Sequence, residues 1–141
     1  MLLLGPGQGG DSPMFPHLLA AVRVHRVGPG RPRTTPAAVI ADKAYSSRAN
    51  RALLRARGIR AVISEPSDQA GHRRARGSRG GRPPGFDPDA YKRRNVIERS
   101  FNALKQWRGL ATRYDKLAIT YRGGVVLAAI IVWLRALRDA P

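Results

Sequence analysis

The sequence contains no cysteine and few acidic residues. Without cysteine, a disulfide scaffold and any zinc site built from thiolates are excluded. The chain has 9 Asp and Glu against 26 Lys and Arg, and its formal net charge is +17. Most of the excess is arginine, which favours bidentate contacts with phosphate. A polyanionic partner is therefore the first expectation.

The sequence also lacks long hydrophobic runs. Residues 1–4 are too short and uncharged for a signal peptide. The apolar run from Gly123 to Leu134 is shorter than the roughly 20 residues that cross a bilayer, so we interpret residues 124–137 as a buried helix. We expect no membrane association and a cytoplasmic location. With 141 residues and 43% hydrophobic content, the chain is long enough for one domain with a core.

The middle of the chain has the pattern of a parallel sheet. Residues 37–41 form a short apolar run that ends at Asp42, which is typical of a buried strand with an acid at its carboxyl end. Ser46 or Ser47 is expected to cap a helix that runs to Arg57, and Gly58 is expected to end it. Residues 59–64 form the next strand. Open α/β sheets place their sites at the carboxyl ends of strands, which makes Asp42 a candidate site residue.

The beginning of the chain predicts a strand over Met1 to Leu4 and a glycine-rich turn after it. The turn superficially resembles a phosphate-binding loop, but Asp11 stands where that motif requires lysine. Asp11 or Ser12 is instead expected to cap a short helix. His17 and His25 lack partners at metal-ligand spacing and are expected at the surface. Because a core strand would begin at the first residue, we expect sequence to be missing upstream.

A basic segment follows the second predicted strand, at about residues 66–86. Its composition collapses into arginine and glycine, which predicts a loop that is mobile without a partner. Its arginines, with no acid between them, are candidate DNA contacts: Arg73, Arg74, Arg76, Arg79 and Arg82. The Arg-Gly character is also similar to RNA-binding segments that order on contact.

A long helix is predicted from Pro88 to Arg108, with Asp87 as its N-cap and Gly109 at its end. The helical period places one set of polar residues on the same face of this helix: Tyr91, Arg94, Glu98, Asn102, Lys105 and Arg108. The opposite face is mostly apolar and is expected to cover a core: Val96, Ile97, Ser100, Phe101, Ala103, Leu104 and Trp107. A carboxylate flanked by cations suits a site for a divalent metal and a phosphodiester. The simpler alternative is a solvated face with Arg94 and Glu98 paired.

Several short strings, in order, carry a family resemblance. Tyr91, Arg94, Glu98 and Lys105 fit the signature Y-x2-R-x3-E-x6-K, and Asp42 lies in the string ADKAY. The likeness extends over the strings GPGQGGDSP, GRPP, KQWRG and RYDK. On these residues the chain resembles the bacterial insertion-sequence transposases of the DDE type.

The resemblance implies a ribonuclease-H-like α/β core in which two aspartates and a glutamate bind two divalent ions, Mg²⁺ or Mn²⁺. Asp42 matches the second acid and Glu98 matches the third. Tyr91, Arg94 and Lys105 would hold the transposon end, and double-stranded DNA would be the partner, both as transposon end and as target. The implied chemistry is in-line attack on phosphodiesters, first by water and then by the liberated 3′ hydroxyl. A nucleoid-associated protein of the bacterial cytoplasm is expected.

The first acid of the family has no counterpart in this sequence. In the family it lies on the opening strand, two strands before the segment that matches Met1 to Leu4. We therefore expect residues 1–141 to be the carboxy-terminal portion of the catalytic domain, with a partial core whose helices pack on a short, mainly parallel sheet. Such a chain would be inactive alone and would need an upstream fragment or self-association. The alternative is a non-catalytic basic nucleic-acid-binding protein.

Overall fold

The computed structural model describes residues 3–5 and 9–138. Their regular elements are α1 (Phe15–Ala20), β1 (Ala38–Ala41), α2 (Arg48–Ala56), β2 (Arg60–Ile63), α3 (Ser67–Ala75), α4 (Pro88–Lys92), α5 (Asn95–Lys105), α6 (Arg108–Ala111) and α7 (Ala118–Arg138). Three short 3-10 helices cover Ser12–Met14, Lys43–Tyr45 and Gly77–Gly80. The described chain forms two compact units, one of residues up to Arg94 and one of Asn95 onward together with residues 3–5.

The predicted strand-helix-strand unit is confirmed. β1 and β2 pair in parallel, with Ala38 opposite Arg60 and Ala41 opposite Ile63. The Ser47 side chain accepts a hydrogen bond from the Asn50 backbone N–H at 3.1 Å and so caps α2, as the sequence predicts. After α2, Gly58 has a φ of +65°, in the left-handed region that glycine enters without strain.

The core of the first unit forms where α1 and α2 meet the sheet. Its buried members are Phe15, Leu19, Leu54, Ile59 and Ile63. Burial of such side chains is the main stabilising contribution to the unit. The mixed α/β class is confirmed, with two parallel strands among the described residues.

The predictions for the amino terminus are partly wrong. Residues 3–5 form no strand, while Met1 and Leu2 lie outside the described residues, as does part of the predicted turn. Neither Asp11 nor Ser12 caps α1. Asp11 has helical backbone angles, φ −74° and ψ −22°, whereas a capping residue is normally extended, and its side chain makes no cap hydrogen bond. The Ser12 hydroxyl instead accepts from the side-chain amide of Asn50 at 3.2 Å.

The prediction of a loop over residues 66–86 is also wrong for the first half of that segment. Residues Ser67–Ala75 form α3, and the 3-10 helix Gly77–Gly80 follows. The charge order suits a helix, because Asp68 lies in the first turn and basic residues lie in the last. A two-hydrogen-bond ion pair between Glu65 and Arg73 also joins the start of the segment to α3.

The single long helix predicted over residues 88–108 is three helices in the structure. Asp87 caps α4 as predicted, accepting from the Ala90 backbone N–H at 2.9 Å. The helix then tightens, because the N–H groups of Arg93 and Arg94 bond to carbonyls three residues earlier instead of four. Ala90 is buried and α4 contacts both strands, whereas α5 contacts α6 and α7, so packing separates the two helices. Gly109 lies inside α6 and does not end a helix in the left-handed conformation, which corrects its predicted role.

The burial predicted for the carboxy-terminal helices is wrong. No residue of α5 is buried, and Val96, Ile97 and Phe101 of its apolar face are more than half exposed. In α7 the buried residues are Val125 and Ala128, while most of the apolar outer face is exposed. At 21 residues, α7 is also longer than the run expected from sequence, and its length and composition match those of a membrane-spanning helix. A mostly buried core helix of a soluble protein passes the same test of length and composition.

Candidate active site

Asp42 lies where the sequence places it, at the carboxyl end of β1. Its side chain is half-buried, and Oδ1 accepts a hydrogen bond from the Ala44 backbone N–H at 2.9 Å. This bond caps the 3-10 helix Lys43–Tyr45 and holds the carboxylate at the strand end. Asp42 therefore has a local structural role beside any chemical one.

Tyr45 contacts the amino-terminal segment, close to Asp42 in the chain. The rings of Phe15 and Tyr45 lie 5.8 Å apart, which docks the amino-terminal segment against the residues that follow β1. Asn50 ties the same two segments, because its amide donates to the Ser12 hydroxyl and to the Tyr45 carbonyl. Burial raises the pKa of the Tyr45 hydroxyl, and the charges of Asp11 and Asp42 raise it further. Sequence reasoning missed this neighbourhood because it assigned Asp11 to a helix cap.

Arg51 connects the ends of the two strands. Its guanidinium donates to the Ser46 hydroxyl at 2.8 Å and to the Ile63 carbonyl at 3.0 Å. Ser46 is buried and donates in turn to the Gln69 side chain at 3.2 Å. Burial lowers the pKa of Arg51, while the carboxylate of Glu65 raises it. The sequence showed Arg51 only as one of several arginines on α2, with no signal that it points inward.

The basic segment contains one paired and several exposed arginines. The Arg73 guanidinium donates to both carboxylate oxygens of Glu65, at 3.1 and 3.0 Å. This bidentate pair holds the pKa of Glu65 below its ordinary value. The other four predicted DNA contacts are exposed: Arg74, Arg76, Arg79 and Arg82. Arg73 thus has its charge balanced by Glu65, whereas the other four arginines expose theirs to a partner.

Tyr91 and Arg94 lie together at the end of the first unit. The Arg94 guanidinium lies over the Tyr91 ring, 5.4 Å from its centroid, in a cation–π contact. Phe86 packs on the same tyrosine with ring centroids 5.1 Å apart. Tyr91 therefore contacts Phe86 and the Arg94 guanidinium.

Glu98 and Lys105 belong to α5, in the second unit. They are two helical turns apart, which places them on the same face, and both side chains are exposed. Tyr91 thus contacts Arg94, and Glu98 shares a face of α5 with Lys105. Among the described residues, neither unit gathers three His, Asp or Glu side chains that could hold a metal ion. The acids of each unit do not complete a metal site by themselves.

Comparison with known proteins finds a family model and a named relative that match most of the chain. The sequence model of the transposase DDE domain matches residues 39–135, a range that includes Asp42, Tyr91, Arg94, Glu98 and Lys105. The chain is 32% identical, over 130 residues, to a protein named as the transposase for insertion sequence element IS6501 of Brucella ovis. That match covers 92% of this chain and 84% of the relative. No solved structure matches the chain.

Proposed function

Because the chain belongs to the bacterial insertion-sequence transposases of the DDE type, which act in DNA transposition, we propose that Asp42 and Glu98 are its second and third catalytic acids. The observation that carries the proposal is the position of Asp42, half-buried at the carboxyl end of a strand in a parallel pair. The family cleaves DNA strands and transfers them. We also propose a ribonuclease-H-like core, of which this chain is the carboxy-terminal portion.

The proposed DNA-binding residues form two groups. Tyr91, Arg94 and Lys105 would bind the transposon end, because the first two are in contact and the third shares a helix face with Glu98. The exposed arginines of residues 74–82 would bind the phosphate backbone of transposon or target DNA without reading its sequence. The protein would therefore be associated with the nucleoid.

The family uses divalent metal ions, and two Mg²⁺ or Mn²⁺ ions are proposed for the complete enzyme. This chain offers two of the three acids expected, and neither unit gathers a full ligand set from its described residues. We propose that the chain alone binds DNA without cleaving it, and that cleavage needs a further fragment or copy to supply the missing acid.

The DNA contacts are tested by single substitutions on α5. Lys105→Ala should weaken binding of a duplex that carries the transposon end more than Arg99→Ala, although both remove one exposed positive charge from the same helix. Glu98→Gln should bind the duplex as tightly as wild type or more tightly, because it removes a negative charge. Equal losses for Lys105→Ala and Arg99→Ala, measured by fluorescence anisotropy, would show charge attraction without a site and would favour the non-catalytic alternative.

The absence of cleavage is tested on supercoiled plasmid with Mg²⁺ or Mn²⁺. The purified chain should give no nicked product. Nicking that disappears in both Asp42→Asn and Glu98→Gln would overturn the proposed inactivity and support the catalytic assignment. Nicking that persists in both variants would come from a contaminating nuclease.

A further inference from the structure

A basic hairpin lies in the chain between α1 and β1. The Val24 backbone N–H donates to the Arg33 carbonyl at 2.9 Å, and the Arg33 N–H donates back to the Val24 carbonyl at 2.8 Å, so an antiparallel bridge closes residues 24–33 into a hairpin. The sequence has no acid from residue 12 to residue 41. Four exposed arginines lie within or beside the hairpin: Arg23, Arg26, Arg31 and Arg33. The ion pairs among the described residues include none of these arginines, so their charges are available to a polyanion.

The tip of the hairpin has few side-chain atoms of its own. Gly28 and Gly30 have φ angles of +118° and +133°, which residues with a side chain rarely adopt, and the ring of Pro29 fixes the backbone between them. A Cβ atom added at Gly30 would lie 3.7 Å from Cδ of Arg26, so the stem of this arginine runs beside the tip. Arg31 follows Gly30 directly. Two arginines therefore accompany a slender turn.

We propose that this tip enters the minor groove of double-stranded DNA and favours segments rich in A·T pairs. The minor groove is about 6 Å wide and narrows in A-tracts, where its negative potential attracts inserted arginine side chains. A glycine-rich tip can approach the floor of such a groove closely, whereas an α-helix fits the wider major groove. G·C pairs add the guanine amino group to the minor groove, and a guanidinium, which has only donors, cannot accept from it.

Val27 adds an apolar contact at the same tip. Its side chain is fully exposed although it follows Arg26 directly in the chain. Proteins that bind the minor groove commonly place apolar side chains against the base steps beside their arginines. The proposed contact is separate from the arginines of residues 74–82, which would bind phosphate without reading sequence. It depends on a family that acts on DNA and not on the catalytic assignment of Asp42 and Glu98.

The first test compares two duplexes of equal length, one with a central A-tract and one of G·C pairs, by fluorescence anisotropy at one salt concentration. Because the two duplexes carry the same phosphate charge, contacts with phosphate alone would give equal affinities. The wild-type chain should bind the A-tract duplex about tenfold more tightly. Equal affinities would overturn this inference and leave the proposed phosphate contacts of residues 74–82 intact. A chain that binds neither duplex would overturn both.

Charge-matched variants locate the preference. Replacing Arg26 and Arg31 together with glutamine should bring the two affinities close to each other. The control replaces Arg48 and Arg55, two exposed arginines of α2, with glutamine. It removes the same charge from the same unit, so it should weaken binding to both duplexes and keep the preference. A preference that survives in the hairpin variant, or one that the control loses equally, would overturn the proposal.

Gly30→Ala tests the shape of the tip at constant charge. The added Cβ lies where φ is +133°, so the backbone of the tip must change. The variant should lose most of the preference for the A-tract while the slope of log K against log salt concentration stays the same. Gly10→Ala is the matched control, because Gly10 has no positive φ and an added Cβ there meets nothing within 4 Å. Full preference in Gly30→Ala would contradict the role of the tip.

Competition identifies the groove and the nucleic acid. Netropsin, which occupies the minor groove of A·T pairs, should abolish the preference of the wild-type chain and leave binding to the G·C duplex unchanged. A preference that persists in saturating netropsin would overturn the proposal. Duplex RNA has a wide, shallow minor groove, so the chain should bind it no more tightly than G·C DNA. Tighter binding to RNA than to A-tract DNA would identify RNA as the partner of the hairpin and would equally overturn the proposal.

Discussion

Replacing the exposed arginines at positions 74, 76, 79 and 82 with glutamine should weaken duplex binding and make that binding less dependent on salt concentration, because contacts with phosphate are lost. Each phosphate contact contributes about −0.9 to the slope of log K against log salt concentration. If all four arginines contact phosphate, the quadruple variant should lose about 3.6 from the absolute slope. Over a fourfold change in salt, each lost contact corresponds to roughly a 3.5-fold smaller change in affinity.

Arg73 gives the same experiment an internal control. Its guanidinium is already bonded to both oxygens of Glu65, so its charge is balanced within the protein. Arg73→Gln should therefore change the slope less than Arg76→Gln. Glu65→Gln should increase the absolute slope by up to about 0.9, because it releases one guanidinium to bind phosphate.

The assay is fluorescence anisotropy of a labelled duplex of arbitrary sequence between about 50 and 200 mM salt. Circular dichroism checks that each variant keeps its helices. If Arg73→Gln and Arg76→Gln lower the slope equally, the ion pair with Glu65 does not withhold Arg73 from DNA. If the quadruple variant keeps the wild-type slope, the segment is not the phosphate-binding surface.

Three further predictions concern the first compact unit. Asp42→Ala should lower the free energy of unfolding, measured with urea, by about 1 kcal/mol, because the Ala44 backbone N–H loses its acceptor. Asp42→Asn keeps an acceptor and should lower the free energy of unfolding much less. Equal losses for the two variants would contradict the capping role. Leu54→Ala should lower the free energy of unfolding by about 2 to 5 kcal/mol, because Leu54 is only 1% exposed. A smaller loss of stability in the same assay would show that the core relaxes around the missing side chain. Because Arg73 lowers the pKa of Glu65, their ion pair stabilises the fold fully at a pH above the ordinary carboxyl pKa of 4.5. This contribution is lost as the pH falls through the lowered pKa. The stability difference between wild type and Arg73→Gln should therefore shrink as acid is added, and a difference that stays constant from neutral pH to pH 3 would refute the assignment.

The sequence by itself determined the features that depend on neighbouring residues. The apolar run before Asp42, the Ser47 cap and Gly58 specify β1, α2 and β2, because strand pattern, capping and left-handed turns are local properties. The placement of Asp42 at a strand end follows from that local order. The net charge of +17, which comes from composition alone, equally indicated a polyanionic partner.

The tertiary structure decided which faces are covered and where long elements break. The helical period runs without interruption from Pro88 to Arg108, but α4 packs on the strands and α5 packs on α6 and α7, so the helix divides between them. The same dependence on partners explains why the basic segment forms α3 beside Glu65 and why most of the apolar outer face of α7 is exposed. Periodicity shows that a helix has an apolar face, but only the arrangement of the other elements determines whether anything covers it.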